Sequence, residues 1–163
     1  MRTAFVSVAL AVAGLGAIVG VASTAGPPEG YARFSSQGAH VYRPTALTEV
    51  ASGGRSVVLN ARGAPGAVRI ATLPAKGRAL GPAARAALAE GGGGHVAGDK
   101  AVDVTGADAA REVVADDAQR RVRRVAVVAR QDDRLYVLTV SVRRGTPARV
   151  LDSQTVLDSF YLD

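Results

Sequence analysis

From Arg121 to Asp163 the chain reads RVRRVAVVARQDDRLYVLTVSVRRGTPARVLDSQTVLDSFYLD, where apolar pattern, turn chemistry and helix signals agree on a β-hairpin followed by a terminal helix. Tyr136, Leu138, Val140 and Val142 alternate with Leu135, Val137, Thr139 and Ser141, the two-residue period of a strand, with the larger groups on one side. With Asp132 and Asp133 as the loop, Ala129 falls opposite Tyr136, Val127 opposite Leu138 and Val125 opposite Val140. A one-residue slip would turn one strand's apolar set to the wrong face, so the pattern specifies the register. Asp tolerates the left-handed conformation of a two-residue loop, less well than Gly or Asn, and a four-residue turn over Gln131 to Arg134 fits the same register. The opposite face pairs Arg130 with Leu135, Val128 with Val137, Ala126 with Thr139 and Arg124 with Ser141. This mixed face should be partly covered.

The expected helix has Thr146 as N-cap and Pro147 as first residue, with Val150, Leu151, Leu157, Phe160 and Tyr161 on an apolar arc interrupted by Gln154. Its weak point is the polar run Asp152 to Thr155. Two placements follow. The helix covers the face away from Tyr136 and leaves the arginines at its rim, or it covers the Tyr136 face and leaves them as an open basic surface.

At the other end, Arg2 precedes an uncharged stretch from Thr3 to Pro28 with small residues at Ser23 and Ala25, the pattern of an export signal cleaved before Gly26. The competing reading is an uncleaved single-span anchor, since about 20 apolar residues suffice to cross a bilayer. Either one carries the rest of the chain out of the cytoplasm. The expected organisation is a signal peptide or transmembrane anchor over 1–25, a Pro/Gly linker over 26–30 and one α+β domain over 31–163. With no cysteine, an exported domain must rely on its core, and lipid attachment to an N-terminal cysteine is excluded. Removal of the leader leaves 138 of 163 residues, enough to bury roughly two-thirds of the unfolded surface.

The formal net charge is +6, and it is concentrated. From Ala118 to Val150 nine arginines stand against Asp132 and Asp133, a local +7. A GC-rich genome, which favours Ala, Gly, Val and Arg, explains much of this. The functional reading is a basic surface at Arg124, Arg130, Arg134, Arg143 and Arg144 that attracts anionic headgroups or wall polymers; nucleic acid is not expected outside the cytoplasm.

Between these ends, YARF and AHVYR flank Ser35-Ser36-Gln37-Gly38, consistent with a first hairpin or a bulged strand ending at Pro44. Thr45 to Gly54 is ambiguous, with room for one helical turn. Arg55 to Ala61 and Ala67 to Leu73 make a second hairpin across Gly63-Ala64-Pro65-Gly66, closed by Pro74. Leu80 to Glu90 reads as a short helix with Pro82 in its first turn and Leu80, Ala84, Ala87 and Leu88 on one face. Gly91 to Gly94 ends it as a flexible connector; GHVAGDKA lacks the spacing and hydroxyl of a phosphate-binding loop. His95 to Ala97 and Ala101 to Thr105 are short strand candidates. For Ala107 to Gln119 the Ala content favours helix, whereas Glu112 to Ala115 turning at Asp116-Asp117 favours a strand.

In outline from Tyr31 to Leu162 the chain resembles the exported actinobacterial LpqN/LpqT-like family, which has a PsbP-like fold. Phe34, Gly38, Val41 and Pro44 match its opening F-x3-G-x2-V-x2-P strand, Leu135 to Val140 its last long strand, and Val156 to Phe160 its closing helix. Val104-Thr105-Gly106 before Ala109-Ala110 resembles the family's entry to a strand, which favours the strand reading of the disputed segment. Thr45-Ala46-Leu47 departs from the aromatic usual after the Pro. The resemblance implies an α+β fold, a twisted antiparallel sheet with helices packed on its faces, and a binding or assembly role with no catalytic residue.

The residues name no reaction. His40 and His95 lack i, i+4 spacing, so a metal site from both with Asp99 or Asp103 is not expected. No G-x-S-x-G elbow surrounds Ser56, Ser141 or Ser153. Asp116-Asp117 and Asp132-Asp133 fall at turns, where Asp bonds its own backbone. The four tyrosines fit core or sheet-edge positions better than stacking platforms. The reading is an exported envelope binding or scaffolding protein without cofactor or metal, whose partner is an envelope protein or a small apolar ligand. The basic module is the alternative, and a hydrolase a distant third.

Overall fold

The computed structural model describes residues 26–60 and 66–163. The 1–25 segment, and with it the choice between leader and anchor, lies outside the described residues, as does the turn at 63–65. No helix among the described residues is long and apolar enough to cross a membrane.

The terminal hairpin forms as its pattern requires. Strand β8 (Val122–Gln131) and strand β9 (Arg134–Arg143) pair with Ala129 opposite Tyr136, Val127 opposite Leu138 and Val125 opposite Val140, joined by the two-residue loop Asp132-Asp133. Asp132 takes φ 51, the left-handed conformation that Asp tolerates. Both strands are buried on both faces over most of their length because they sit in the middle of a seven-stranded sheet ordered β3-β4-β5-β9-β8-β7-β6. Burial on both sides explains why Val and Ala crowd their alternate positions instead of polar residues.

On one side of the hairpin lie β5 (Gly66–Pro74), β4 (Ser56–Asn60) and β3 (Thr48–Gly53); on the other lie β7 (Ala109–Asp117) and β6 (His95–Val102), every pair antiparallel. The ambiguous Thr45 to Gly54 segment therefore holds a turn at Thr45-Ala46 followed by the strand β3. The disputed Ala107 to Gln119 segment is also a strand: Val113, Val114 and Ala115 are buried between β6 and β8, and tertiary burial overrides the helical preference of Ala. The two short strand candidates at 95–105 are one strand with a register shift between Val96 and Gly98.

A second sheet of three strands, ordered β1-β2-β10, packs against one face of the first. It is built on the hairpin of β1 (Tyr31–Ser36) and β2 (Ala39–Pro44), whose loop Gln37-Gly38 has φ 56 and 89. Left-handed geometry at both central residues matches the strand twist, which is why the pair fits here. Phe34, opposite Val41, turns inward with Ala39 toward a core of Val68, Ile70, Leu138 and Val140.

The chain end departs from expectation. Thr146 Oγ1 donates to Arg143 O at 2.7 Å and closes a turn, so it does not cap a helix. The helix α2 runs over Ser153–Asp158 and is capped by Asp152, whose carboxylate accepts from the Gln154 and Thr155 amides at 3.1 and 3.4 Å. The polar run that looked like a weak point is the N-terminus itself, where the Asp152 carboxylate satisfies two orphan amides and also accepts from Thr155 Oγ1 at 2.7 Å. Val150 is left exposed. After α2 the strand β10 (Tyr161–Leu162) pairs with β2, so Tyr161 sits on a strand and not on a helical arc. Val156, Leu157 and Phe160 enter the core beside Tyr136.

The helix α1 (Leu80–Glu90) forms where the pattern placed it and covers the opposite face. Ala84 and Leu88 pack with Val113, Ala126, Val128, Leu135 and Val137. Thus α2 lies on the Tyr136 side, but the face with Arg124 and Arg130 is closed by α1, and neither of the two sequence placements holds as drawn.

Candidate functional site

The helix α1 is narrow because Ala supplies most of its length, and it lies chiefly over β8 and β7, with less contact to β9. The outer face of β4 and β5 stays open, leaving a groove between that face and the helix. Its larger part is a cavity of about 530 Å³ over Ser56, Val58, Ala67, Thr139 and Ser141. A second cavity of about 280 Å³ continues it past Ala71, Leu73, Ala83 and Val137. Arg69 and Glu90, which line both, form an ion pair from floor to helix wall, and Arg69 Nε donates to Ser56 Oγ at 3.0 Å. Arg143 stands at the far end of the groove and makes no ion pair among the described residues.

The C-terminus of α1 explains the glycine run and corrects its reading as a flexible connector. Arg124 is only 4% exposed, and its Nη1 donates to Gly93 O at 2.8 Å while lying 3.6 Å from Asp117 Oδ2. A cation buried under the carbonyl end of a helix complements the helix dipole. The chain must cross above that guanidinium, and Gly92 does so at φ 109, where a Cβ would sit 2.8 Å from Arg120 Nη1 and 3.1 Å from Arg124 Nη2.

The five arginines expected to form one basic surface are dispersed. Arg124 is buried and structural. Arg144 reaches Asp116 at 3.4 Å, and Arg143 lines the groove. Arg130 and Arg134 belong to the opposite end of the hairpin, Arg130 beside the N-terminus of α1 and Arg134 in a separate pocket with Gln37 and Arg55. Six residues of strand separate Arg124 from Arg130, on the order of 20 Å. Alternation put Arg124 and Arg130 on one face, but only the position of α1 decides which of them is covered.

The histidines fall on different sheets, His40 on β2 and His95 at the start of β6. Asp99 faces arginines: Arg111 Nε at 2.5 Å and Arg85 Nη2 at 2.6 Å. Among the described residues no group of three His, Cys, Asp or Glu is placed to hold a metal ion. A trio that sequence reading missed surrounds His40. Its Nδ1 is 2.7 Å from Ser35 Oγ, its Nε2 is 2.7 Å from Asp163 Oδ1, and Tyr161 stacks on the ring at 4.5 Å. The Ser35 contact was readable from a two-residue loop at Gln37-Gly38, which pairs positions 35 and 40. The Asp163 contact depends on β10 and carried no sequence signal. Acyl transfer needs donors aimed at a developing oxyanion inside a cleft. Ser35 lies instead on the exposed surface of a regular strand, and the trio ties β1, β2 and β10 together.

Two carboxyls are held below their ordinary value of 3.8. For Asp99 the hydrogen bond from Arg111 is the main cause, opposed by burial and aided by Arg85. For Asp117 the main cause is the Arg120 backbone N–H, again opposed by burial and aided by the charges of Arg120 and Arg124. Because the folded values are depressed, the stability they contribute is complete above the unfolded value and disappears as pH falls below it and through the lower folded value. Asp99→Asn should therefore flatten the acid limb of urea-unfolding stability measured from pH 7 down to about pH 3. A wild-type slope in that variant would show that the arginine contacts of Asp99 do not couple to folding.

No protein-family model matches the chain, and no curated protein matches it with significance. Its fold, however, matches solved structures. The solution structure of cyanobacterial PsbP (CyanoP) from Synechocystis sp. PCC 6803 aligns with a TM-score of 0.59 at 17% identity, covering 93% of this chain and 99% of that one. The chain has a PsbP-like fold. A crystal structure from Bacteroides thetaiotaomicron VPI-5482 aligns more loosely, with a TM-score of 0.49 and 15% identity over 80% of this chain; the match spans 48% of that chain, about half its length. In this chain α1 and α2 lie on opposite faces of the large sheet, and the groove beside α1 is where the layer on the α1 face stops short.

Proposed function

We propose that the protein is an exported binding module of the cell envelope and that the groove beside α1 is its ligand seat. The observation that carries this reading is the open outer face of β4 and β5, where Val58 and Ala67 are only half-buried and line a cavity beside the helix wall. A mostly apolar concavity with a few placed polar groups is the usual form of a small-ligand site. The floor suits the apolar body of an amphipathic ligand, and Arg143 suits its anionic end. Export is supported by the 1–25 segment and is compatible with a PsbP-like fold. Membership of the actinobacterial LpqN/LpqT-like family is supported by the opening motif, whose Phe34 and Val41 pair inward across the loop that Gly38 closes at φ 89. Attachment to anionic lipid or wall polymer through all five arginines as one surface has less support, because they occupy separate surroundings.

One preparation tests both parts. Protein recovered from the producing cells should come from the envelope or medium and, by mass spectrometry, begin near Gly26 or retain the 1–25 anchor; full-length protein confined to the cytoplasm counts against export. In a thermal shift with a long-chain fatty acid at about a hundred times its Kd, the native protein should gain roughly 2.7 kcal/mol. Val58→Trp, which fills the groove, should remove the gain while leaving the unliganded protein folded. An equal gain in that variant, or none in the native protein, would sink the groove as the seat.

A further inference from the structure

A second concavity lies at the other end of α1, and its chemistry differs from that of the groove. It is an open concavity of about 600 Å³ that draws its lining from five parts of the chain: Arg78 before α1, Arg85 within it, Asp99 on β6, Arg111 on β7 and Arg130 on β8. Four guanidiniums against one carboxylate leave a formal charge of +3 around the cavity. Asp99 is already shared between Arg85 and Arg111. Among the described residues neither Arg78 nor Arg130 forms an ion pair. Arg130 donates from Nη2 to Arg78 O at 2.6 Å, and its Nε is shielded from solvent without a hydrogen-bond partner.

Like charges do not gather round a cavity without cost, since each guanidinium repels the others, and at Arg130 the shielded Nε has lost its hydration as well. A ligand anion would relieve both effects. The backbone adds donors at the same place. The N-cap residue of α1, Ala79, gives no side-chain cap, and the first bond of the helix runs from the Ala83 amide to Ala79 O, so Leu80 and Gly81 at the cavity edge hold the positive end of the helix. The helix end alone would not make a site, whereas four arginines converging from separate elements supply fixed donors from several directions. One carboxylate is satisfied by a single forked arginine. A tetrahedral oxyanion, with oxygens pointing in several directions, can use several such donors together.

We infer that this cavity binds a phosphoryl group, carried on a soluble phosphate ester or on a lipid headgroup. Arg85 and Arg111 grip it from the helix and the sheet while still holding Asp99, and Arg130 and Arg78 neutralise its remaining charge. Arg78 stands at the edge of both concavities, but Arg85, Arg111, Arg130 and Asp99 do not line the groove.

The test follows the amides of Leu80 and Gly81 by NMR during titration with inorganic phosphate, glycerol 3-phosphate, and vesicles of phosphatidate or phosphatidylcholine. Saturable shifts with inorganic phosphate are expected below about 10 mM, the range of a few charge-assisted contacts. Arg85→Ala and Arg130→Gln should each weaken binding about tenfold. Arg85 is exposed on the helix surface, so its removal leaves the core untouched. Tighter binding of glycerol 3-phosphate, or of phosphatidate vesicles over phosphatidylcholine, supports the proposal and assigns the source, provided both substitutions weaken it. Val58→Trp should bind phosphate as the native protein does, so failure of the groove and failure of this site remain distinguishable. Absence of shifts at Leu80 and Gly81, or affinity unchanged in both arginine variants, overturns the proposal.

Discussion

Phe160→Ala should cost about 3–5 kcal/mol of folding stability, a large part of the roughly 5–15 kcal/mol available to a domain. Phe160 is wholly buried and heads the largest fully buried side chains of the protein. It follows α2 directly, with its amide bonded to Leu157 O at 3.1 Å, so its backbone is fixed before its ring enters the core between the two sheets. The core cluster it joins contains Val41 of the small sheet and Leu138 of the large one, separate layers that cannot both relax into the space the ring would leave. At roughly 3 °C per kcal/mol for a domain of this size, the melting temperature should fall by on the order of 10 °C. Val150→Ala provides the contrast, since Val150 is 38% exposed and its loss should stay within about 0.5 kcal/mol. Urea unfolding of the two variants measures the difference. A cost below about 1.5 kcal/mol for Phe160→Ala would mean that the layers do collapse.

The sequence determined different parts of the structure with different clarity, for physical reasons visible at single residues. The register of Val127 opposite Leu138 was legible because only one pairing keeps the larger side chains of both strands together. The bounds of α1 were legible because Pro82 and the glycines mark its ends. The helix near the C-terminus was legible only as an element: Thr146-Pro147 imitates a start, and the choice of Asp152 depends on where Leu157 and Phe160 must reach the core. The expected basic surface failed for a related reason. Arg124 and Arg143 look alike in sequence, but one lies beneath the end of α1 and the other beside an open groove. Charge counts along a chain do not tell which side of a sheet a distant helix will cover. Neither the groove nor the arginine cavity has a contiguous signature, because each exists only once α1 is laid across β7 and β8.

Gly106→Ala should cost about 3 kcal/mol or more and should act on the chain end 56 residues later. Two causes add. Gly106 has φ 84, a conformation that costs an L-residue roughly 1–2 kcal/mol. In addition, a Cβ there would lie 2.4 Å from Leu162 O and 2.9 Å from its carbonyl carbon, so backbone must move and no rotamer change relieves the clash. The displaced segment is β10, held on this side by the Leu162 amide bonding Thr105 O at 2.9 Å and on the other by the Asp163 amide bonding Gly38 O at 3.0 Å. Shifting it also disturbs Asp163 against His40 and the packing of buried Leu162. Gly145→Ala separates the causes, because Gly145 has φ 86 but nothing within 4 Å of its Cβ position. It should show the conformational penalty alone. Urea unfolding gives the totals, and hydrogen exchange at Leu162 locates the damage, with protection lost in Gly106→Ala and kept in Gly145→Ala. Equal destabilisation by the two, with Leu162 still protected, would show that β10 yields without cost. The Val104-Thr105-Gly106 motif would then be only an entry to β7. With the expected result its glycine is where the end of the chain is fastened, so that Phe160 is placed in the core from both sides: by α2 before it and by β10 after it.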